Sequence, residues 1–112
     1  MTFGSLFAGI GGMDLGLERA GMKCVFQVEI DPYARRVLAK HWPDVRRHDD
    51  VRTFPAGDGA DWRCDVIAGG FPCQDISVAG KGAGIAEGTR SGLWSEYVRI
   101  IRLLRPRVVL VE

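Results

Sequence analysis

Short apolar runs alternate with segments of helical period along this chain, and that alternation constrains its fold more than any other feature. Phe3–Phe7 is an apolar run that ends at Ala8-Gly9, after which Met13, Leu17 and Ala20 recur at helical spacing until Gly21 stops them. Lys23–Val28 is a second strand candidate. Asp31-Pro32 then opens a second helix, since aspartate caps and proline suits the first helical position. Tyr33, Val37, Leu38 and Trp42 are its expected buried face, and Pro43 ends it. Val45–Asp50 reads as a short third strand, 54–62 as a loop and Cys64–Ala68 as a buried strand. Leu93–Leu104 is the last helix, with Leu93, Tyr97, Ile101 and Leu104 on one stripe, and Val108–Val111 is the last strand. Such a series predicts an α/β fold, a parallel sheet with helices on both faces.

In sheets of this kind ligands bind beyond the carboxyl ends of the strands. The chemistry-bearing residues fall there: Ala8–Gly12 after the first strand, Glu29 after the second, Asp50 near the third, Gly69–Gln74 after the fourth and Glu112 after the fifth. The segment 69–92 has little periodicity and holds glycines at 80, 82, 84, 88 and 92. A stretch that long without regular structure is usually functional in a compact domain.

Composition excludes several classes. With 112 residues the chain is at most one small domain. Hydrophobic content of 46% and charged content of 26% suit a globular protein, and a net charge of +1 gives no whole-chain sign of nucleic acid. Three cysteines, at 24, 64 and 73, make no even disulfide set and no CxxC pair, so no metal site is expected. No apolar run approaches the ~20 residues of a membrane span, and no leader is visible. The expected location is the cytoplasm, with no membrane partner.

Phe7-Ala8-Gly9-Ile10-Gly11-Gly12 joins a strand to a helix, where glycines let the backbone approach a ligand. In the dinucleotide pattern G-x-G-x-x-G, counted from Gly9 and Gly11, the last glycine would fall at Asp14. The phosphate-binding form is therefore not met, which disfavours a nicotinamide-dependent oxidoreductase. Glu29, 20 residues after Gly9, can accept from both hydroxyls of a ribose. A ribose site without a phosphate site suggests S-adenosylmethionine. Tight packing of the turn is the competing reading. Asp50 reads equally as an acceptor for an adenine amino group or as a solvated loop acid, and Asp31 as a helix cap. Cys73 stands outside any apolar run, after Pro72 and before Gln74, placed either as a nucleophile or as a reduced structural thiol. Cys24 and Cys64, in strand-like segments, read as structural. Arg99, Arg102 and Arg105, like Arg35, Arg36 and Lys40, read as solvated helix faces.

Taken in order, Leu6–Gly12, Glu29-Ile30-Asp31, Asp50-Val51, Gly70-Phe71-Pro72-Cys73-Gln74-Asp75-Ile76-Ser77 and Val111-Glu112 resemble successive motifs of cytosine-5 DNA methyltransferases of the prokaryotic or phage kind. The resemblance covers the whole chain. It implies the Rossmann-like fold of S-adenosylmethionine-dependent methyltransferases, in part, and a place in restriction-modification. It implies that Phe7, Ala8, Gly9, Ile10, Gly11 and Gly12 hold the methionine and ribose parts of S-adenosyl-L-methionine. Glu29 would bind the ribose hydroxyls, Ile30 would pack on adenine, Asp50 and Val51 would contact adenine, and Pro72 would lie beside cofactor and base. Cys73 would be the nucleophile, Glu112 the acid at ring nitrogen 3 and Arg90 a loop arginine near the base. Gln74 and Ser77 would touch double-stranded DNA whose target cytosine is flipped out.

The sequence departs from the pattern at Ser5, where many members carry aspartate. It reaches Glu112 where Asn and Val would follow, and it carries no target recognition domain. The expectation is that residues 1–112 are the amino-terminal part of the catalytic domain. This polypeptide alone is not expected to methylate DNA, and a second polypeptide is one source of the remaining half. Alternatives are an inactive S-adenosylmethionine-binding fragment and an RNA cytosine methyltransferase. Members of the latter tend to have Pro-Pro-Cys-Gln where Phe71 stands here.

Overall fold

A computed structural model describes residues 1–70 and 90–112, and for Arg90 and Ser91 the backbone alone. The strands are β1 (Thr2–Leu6), β2 (Lys23–Val28), β3 (Arg46–His48), β4 (Val66–Gly69) and β5 (Val108–Val111), and the helices α1 (Gly12–Arg19), α2 (Pro32–His41) and α3 (Arg90–Leu104). All strand pairs are parallel, in the order β3-β2-β1-β4-β5. The chain winds outward from β1 through β2 to β3, then returns to place β4 on the other side of β1. The crevice beyond β1 and β4 is the switch point where such sheets bind ligands.

Expected and observed elements agree closely where an apolar run is bounded by glycine or proline. The third strand is shorter than Val45–Asp50, because Val51–Thr53 turns into a 3-10 helix capped by Asp50. A second 3-10 turn, Ala60–Trp62, interrupts the expected loop, and α3 starts at Arg90 rather than Leu93. Tyr33 does not face the core. It is exposed, and Ala34 and Leu38 are the buried residues of α2. On α3 the fully buried stripe runs through Ile100, with Ile101 only partly covered.

The sheet has a different core on each face. Toward α3 lie Leu6, Phe26, Val28 and Ile67, with Leu93, Tyr97, Ile100 and Leu104 from the helix and Val51 and Phe54 from the 3-10 turn. Rings of Phe26, Phe54 and Trp62 meet at centroid separations of 4.9 to 5.8 Å. Toward α1 and the end of α2 the cluster is smaller: Phe3, Cys24 and Val66, with Leu17 and Trp42 against them. Strict alternation would put Cys24 and Phe26 on one face. A register shift opposite Phe3 and Gly4 pairs them with Cys24 and Phe26, so Val25 is an extra residue and the two side chains face opposite ways.

Strand β5 is an edge, and Val108, Val109, Leu110 and Val111 are all exposed. Among the described residues no helix is long and apolar enough to cross a membrane.

Candidate functional site at the ends of the first two strands

Beyond Leu6 the backbone turns sharply. Phe7 takes a left-handed conformation (φ 53°) that is costly for a bulky residue, and its ring stacks on Tyr97 at 6.0 Å. The Ala8 N–H donates to the carbonyl of Val28 at 3.1 Å, and the Gly11 N–H closes back on the carbonyl of Ala8 at 3.1 Å. Gly11, at φ 94°, is the residue before α1, and a side chain there would come 2.5 Å from the Trp42 ring. Gly9, at φ 60°, has open space where a Cβ would stand. Glycine is required at Gly11 by both conformation and contact.

Glu29 is fixed from two sides. Its Oε1 accepts from the Gly9 N–H at 2.7 Å and its Oε2 from the Asp31 N–H at 2.9 Å. Each oxygen keeps a lone-pair direction for a further donor. Arg35, expected on a solvated face, instead donates through Nη1 to the carbonyls of Glu29 and Ile30 at 3.0 and 2.8 Å. Its guanidinium holds the segment that carries the candidate residues. Asp31 caps α2 as expected, accepting from the Tyr33 N–H at 3.1 Å.

Asp50 is neither a free acceptor nor a solvated acid. Its carboxylate takes the Arg52 N–H at 2.9 Å and the Arg52 guanidinium as a fork, Nε to Oδ1 at 2.9 Å and Nη2 to Oδ2 at 2.7 Å. These Arg52 hydrogen bonds hold its carboxyl below the usual range. The Val51 side chain is buried, and its carbonyl accepts from Arg99 Nη2 at 2.9 Å; the same nitrogen reaches the Phe54 carbonyl at 2.7 Å. Arg99 is thus a strut between α3 and the cleft floor, not a solvated face.

A cleft of about 280 Å³ opens here, walled by Phe7, Glu29, Ile30, Asp50, Val51 and Gly70 among others. That is near the lower end of small-molecule sites, roughly 300–1,000 Å³. Its donor set suits a nucleoside: a carboxylate pre-oriented for hydroxyls, the half-exposed apolar Ile30 and the buried Val51. Ile10, Gly11 and Gly12 lie elsewhere, in a shallow hollow with Leu15 and Trp42. Ala8 and Gly9 shape the turn through their amides. Glu112 joins the same strand-end region: its N–H donates to the Gly69 carbonyl at 3.1 Å, and its Oε1 lies 3.8 Å from where a Gly70 side chain would begin. Pro72, Cys73, Gln74 and Ser77 lie outside the described residues, as does the side chain of Arg90.

Cys24 is buried and Cys64 partly buried, in keeping with structural roles. Burial pushes Cys24 up to about 12 and Cys64 to about 11, and their Sγ atoms donate to the carbonyls of Phe26 and Val66. Both stay protonated near neutral pH. Cys64 sits just before β4 rather than within it.

One buried acid escaped the sequence reading. Asp14, which stands between the apolar positions Met13 and Leu17, is the buried side chain of α1. Its Oδ1 accepts from Ser5 Oγ and its Oδ2 from Gln27 Nε2, both at 2.8 Å. Burial raises its carboxyl above the ordinary 3.8, and the two hydrogen bonds offset part of that. The available signal was a pair of polar residues, Ser5 and Gln27, inside otherwise apolar strands.

Comparison with known proteins bears on the family and the fold. The family described as C-5 cytosine-specific DNA methylase matches residues 1–112. The chain is 42% identical over 115 residues to the Type II methyltransferase M2.BsuMI of Bacillus subtilis (strain 168), covering 96% of this chain and 28% of the relative. It is 46% identical over 110 residues to the Type II methyltransferase M.Eco47II of Escherichia coli, covering 96% of this chain and 25% of that one. It therefore spans about a quarter of the length of these curated relatives. A crystal structure described as a DNA modification methyltransferase encoded within an E. coli prophage superposes with a TM-score of 0.78 at 30% identity, over 99% of this chain and 31% of that chain. Spodoptera frugiperda DNMT2 shares the fold, with a TM-score of 0.73 at 24% identity over 98% of this chain and 34% of that one.

Proposed function

The chain belongs to the C-5 cytosine-specific DNA methylase family, and from that premise we propose that it is the amino-terminal, cofactor-binding and nucleophile-bearing part of an enzyme methylating carbon 5 of cytosine in DNA. The observation that carries the reading is Glu29, held by two backbone N–H groups at the mouth of a cleft with Ile30, Asp50 and Val51. In this reading Glu29 takes the ribose hydroxyls of S-adenosyl-L-methionine and Ile30 covers its adenine. Asp50 and Val51 bound the adenine edge, and Arg52 keeps Asp50 ionised. The turn Phe7–Gly12 passes beside the methionine part. Bound there, S-adenosylmethionine supplies an electrophilic methyl group on a sulfonium.

Carbon 5 of cytosine is too weak a nucleophile unaided. The Cys73 thiolate forms a bond to carbon 6, and the ring electron pair moves toward carbon 5. Glu112, beside Gly70, hydrogen-bonds or protonates ring nitrogen 3 to stabilise the charge that develops. Carbon 5 would take the methyl group as its bond to sulfur breaks and the donor departs as a neutral thioether; a base then removes the carbon 5 proton, and the returning electron pair expels the thiolate. By resemblance, Pro72 is assigned a place beside cofactor and base, Arg90 a supporting role at the base, and Gln74 and Ser77 contact with the DNA. The substrate is duplex DNA with the cytosine flipped out, because carbon 6 is out of reach in the stack. The curated relatives are about four times as long as this chain, and in this reading target recognition belongs to the part of them that it does not cover. The Type II names of the relatives support a restriction-modification role.

Two measurements test the reading. Calorimetry with S-adenosylmethionine should show binding that Glu29→Ala weakens about 100-fold or more, the loss of two hydrogen bonds to a charged group. Unchanged affinity would remove Glu29 from the site. On duplex DNA carrying 5-fluorocytosine, with the remaining catalytic part supplied, a covalent adduct should form and be absent in Cys73→Ser. An adduct in that variant would end the mechanism.

A further inference from the structure

Ser5, Asp14 and Gln27 are the buried polar side chains among the described residues, and all three belong to one hydrogen-bonded cluster. The cluster continues outward. Gln27 Oε1 accepts from Arg47 Nη1 at 3.3 Å, and the same nitrogen donates to the carbonyl of Trp42 at 2.7 Å. The ring of Trp42 is the surface that lies under Gly11. The cluster thus begins inside the first turn of α1 and ends at the residue that supports the glycine turn from beneath.

An apolar side chain at Asp14 would fill the same space without the cost of burying a carboxylate. Replacing buried ionic groups by apolar ones is often neutral or stabilising. What packing alone does not do is fix one distance, and hydrogen bonds, being directional, do. Asp14 lies three residues beyond Gly11, and Gln27, in β2, lies two residues before Glu29, which follows the end of that strand. The bond between them ties the start of α1 to the strand that presents Glu29. We propose that Asp14 is a positioning residue that, through Ser5 and Gln27, holds the glycine turn at the separation from Glu29 needed to bind the cofactor. The 2.7 Å bond from the Gly9 N–H to Glu29 is the outward sign of that separation. The inference rests on the cofactor reading above for its purpose, but the geometry it predicts can be read without cofactor.

Chemistry distinguishes this role from a role of charge. An asparagine at position 14 can accept from Gln27 and donate to Ser5, so it keeps both bonds. Gln27→Glu alone sets two carboxylates against each other, whereas Asp14→Asn/Gln27→Glu reverses the bond's direction and restores it, with Arg47 still facing the new acid. The readouts are exchange of the Gly9 amide with solvent and calorimetric affinity for S-adenosylmethionine, at about pH 8, where two facing carboxylates repel most. Asp14→Leu and Gln27→Glu should each speed Gly9 exchange and weaken binding about tenfold or more, while Asp14→Asn and the double variant stay within about threefold of the parent. If Asp14→Leu does not fold, Gln27→Glu and its double-variant rescue decide the question. Parent-like Gly9 exchange in folded Asp14→Leu would overturn the proposal. So would an Asp14→Asn variant as impaired as Leu, or a double variant no better than Gln27→Glu alone. Absence of cofactor binding by the parent would refute the proposed function, and Gly9 exchange would still decide this inference.

Discussion

The two faces of the sheet solve different problems with different materials. Toward α3 the core is apolar and aromatic, with Phe26, Phe54 and Trp62 in mutual contact and Tyr97 beneath Phe7. Toward α1 and α2 the apolar cluster is small, and the buried hydrogen-bonded set of Ser5, Asp14 and Gln27 lies among the packed elements. Burying apolar surface is non-directional and stabilises in proportion to area. A buried ionic network is often no more stabilising than an apolar replacement of the same volume, but it specifies one arrangement. The comparison teaches that the large core supplies stability and the small, polar one sets the geometry of the turn beside the cleft.

Substitutions ranked by effect can break or sharpen that division. Phe26→Ala removes the ring at the centre of the aromatic cluster and should cost about 3–5 kcal/mol in urea unfolding. That is a large share of a total of roughly 5–15 kcal/mol for a domain. A loss below about 1 kcal/mol would mean that the α3 face is not the main store of stability. Arg99→Met strips the Val51 and Phe54 carbonyls of a shared charged donor and should cost about 1–3 kcal/mol. The smallest effect is one of pH. Asp14 has a folded-state pKa above its ordinary 3.8, so the folded state holds that proton longer than the unfolded chain does. The associated stability is fully present below pH 3.8 and is lost as pH rises through the folded-state value. Asp14→Asn lacks the titration, so the stability difference, parent minus variant, should decline as pH rises. A flat or rising difference would show that Asp14 is not held in a desolvating site.

Much of this was legible in the residues. β2, the start of α2 and the expected limits of β5 follow from apolar runs closed by glycine, by Asp31-Pro32 and by Pro106. The placement of Glu29 and Asp50 at strand ends was legible for the same reason, whereas Ile30 and Val51 came only from the resemblance; all four line one cleft. What period could not supply was the destination of long side chains. Arg35 and Arg99 sit at positions that helical spacing assigns to solvent, yet their guanidinium groups reach backbone carbonyls on other elements. Asp14 misled in the opposite direction. Helical spacing reads it by its own charge, whereas its burial depends on two donors from strands distant in sequence. Asp50 was legible as a residue of the cleft but not as the partner of Arg52, because a fork geometry depends on the 3-10 turn between them.

The extra residue in β2 gives the chain an asymmetric tolerance to changes in its length. On either side of Val25 the ladder is regular, and Cys24 and Phe26 pair with the adjacent residues Phe3 and Gly4. Losing Val25 would leave each of those pairings, and each side chain's face, as it is. Losing Phe26 would put Val25 opposite Gly4 in its place and trade a core ring for a smaller side chain, whereas losing Gln27 would draw Phe26 opposite Ser5 and set its ring in the polar network. A one-codon deletion drifting through this gene would therefore be filtered by where in six codons it fell, with Val25 the position whose loss the strand absorbs best.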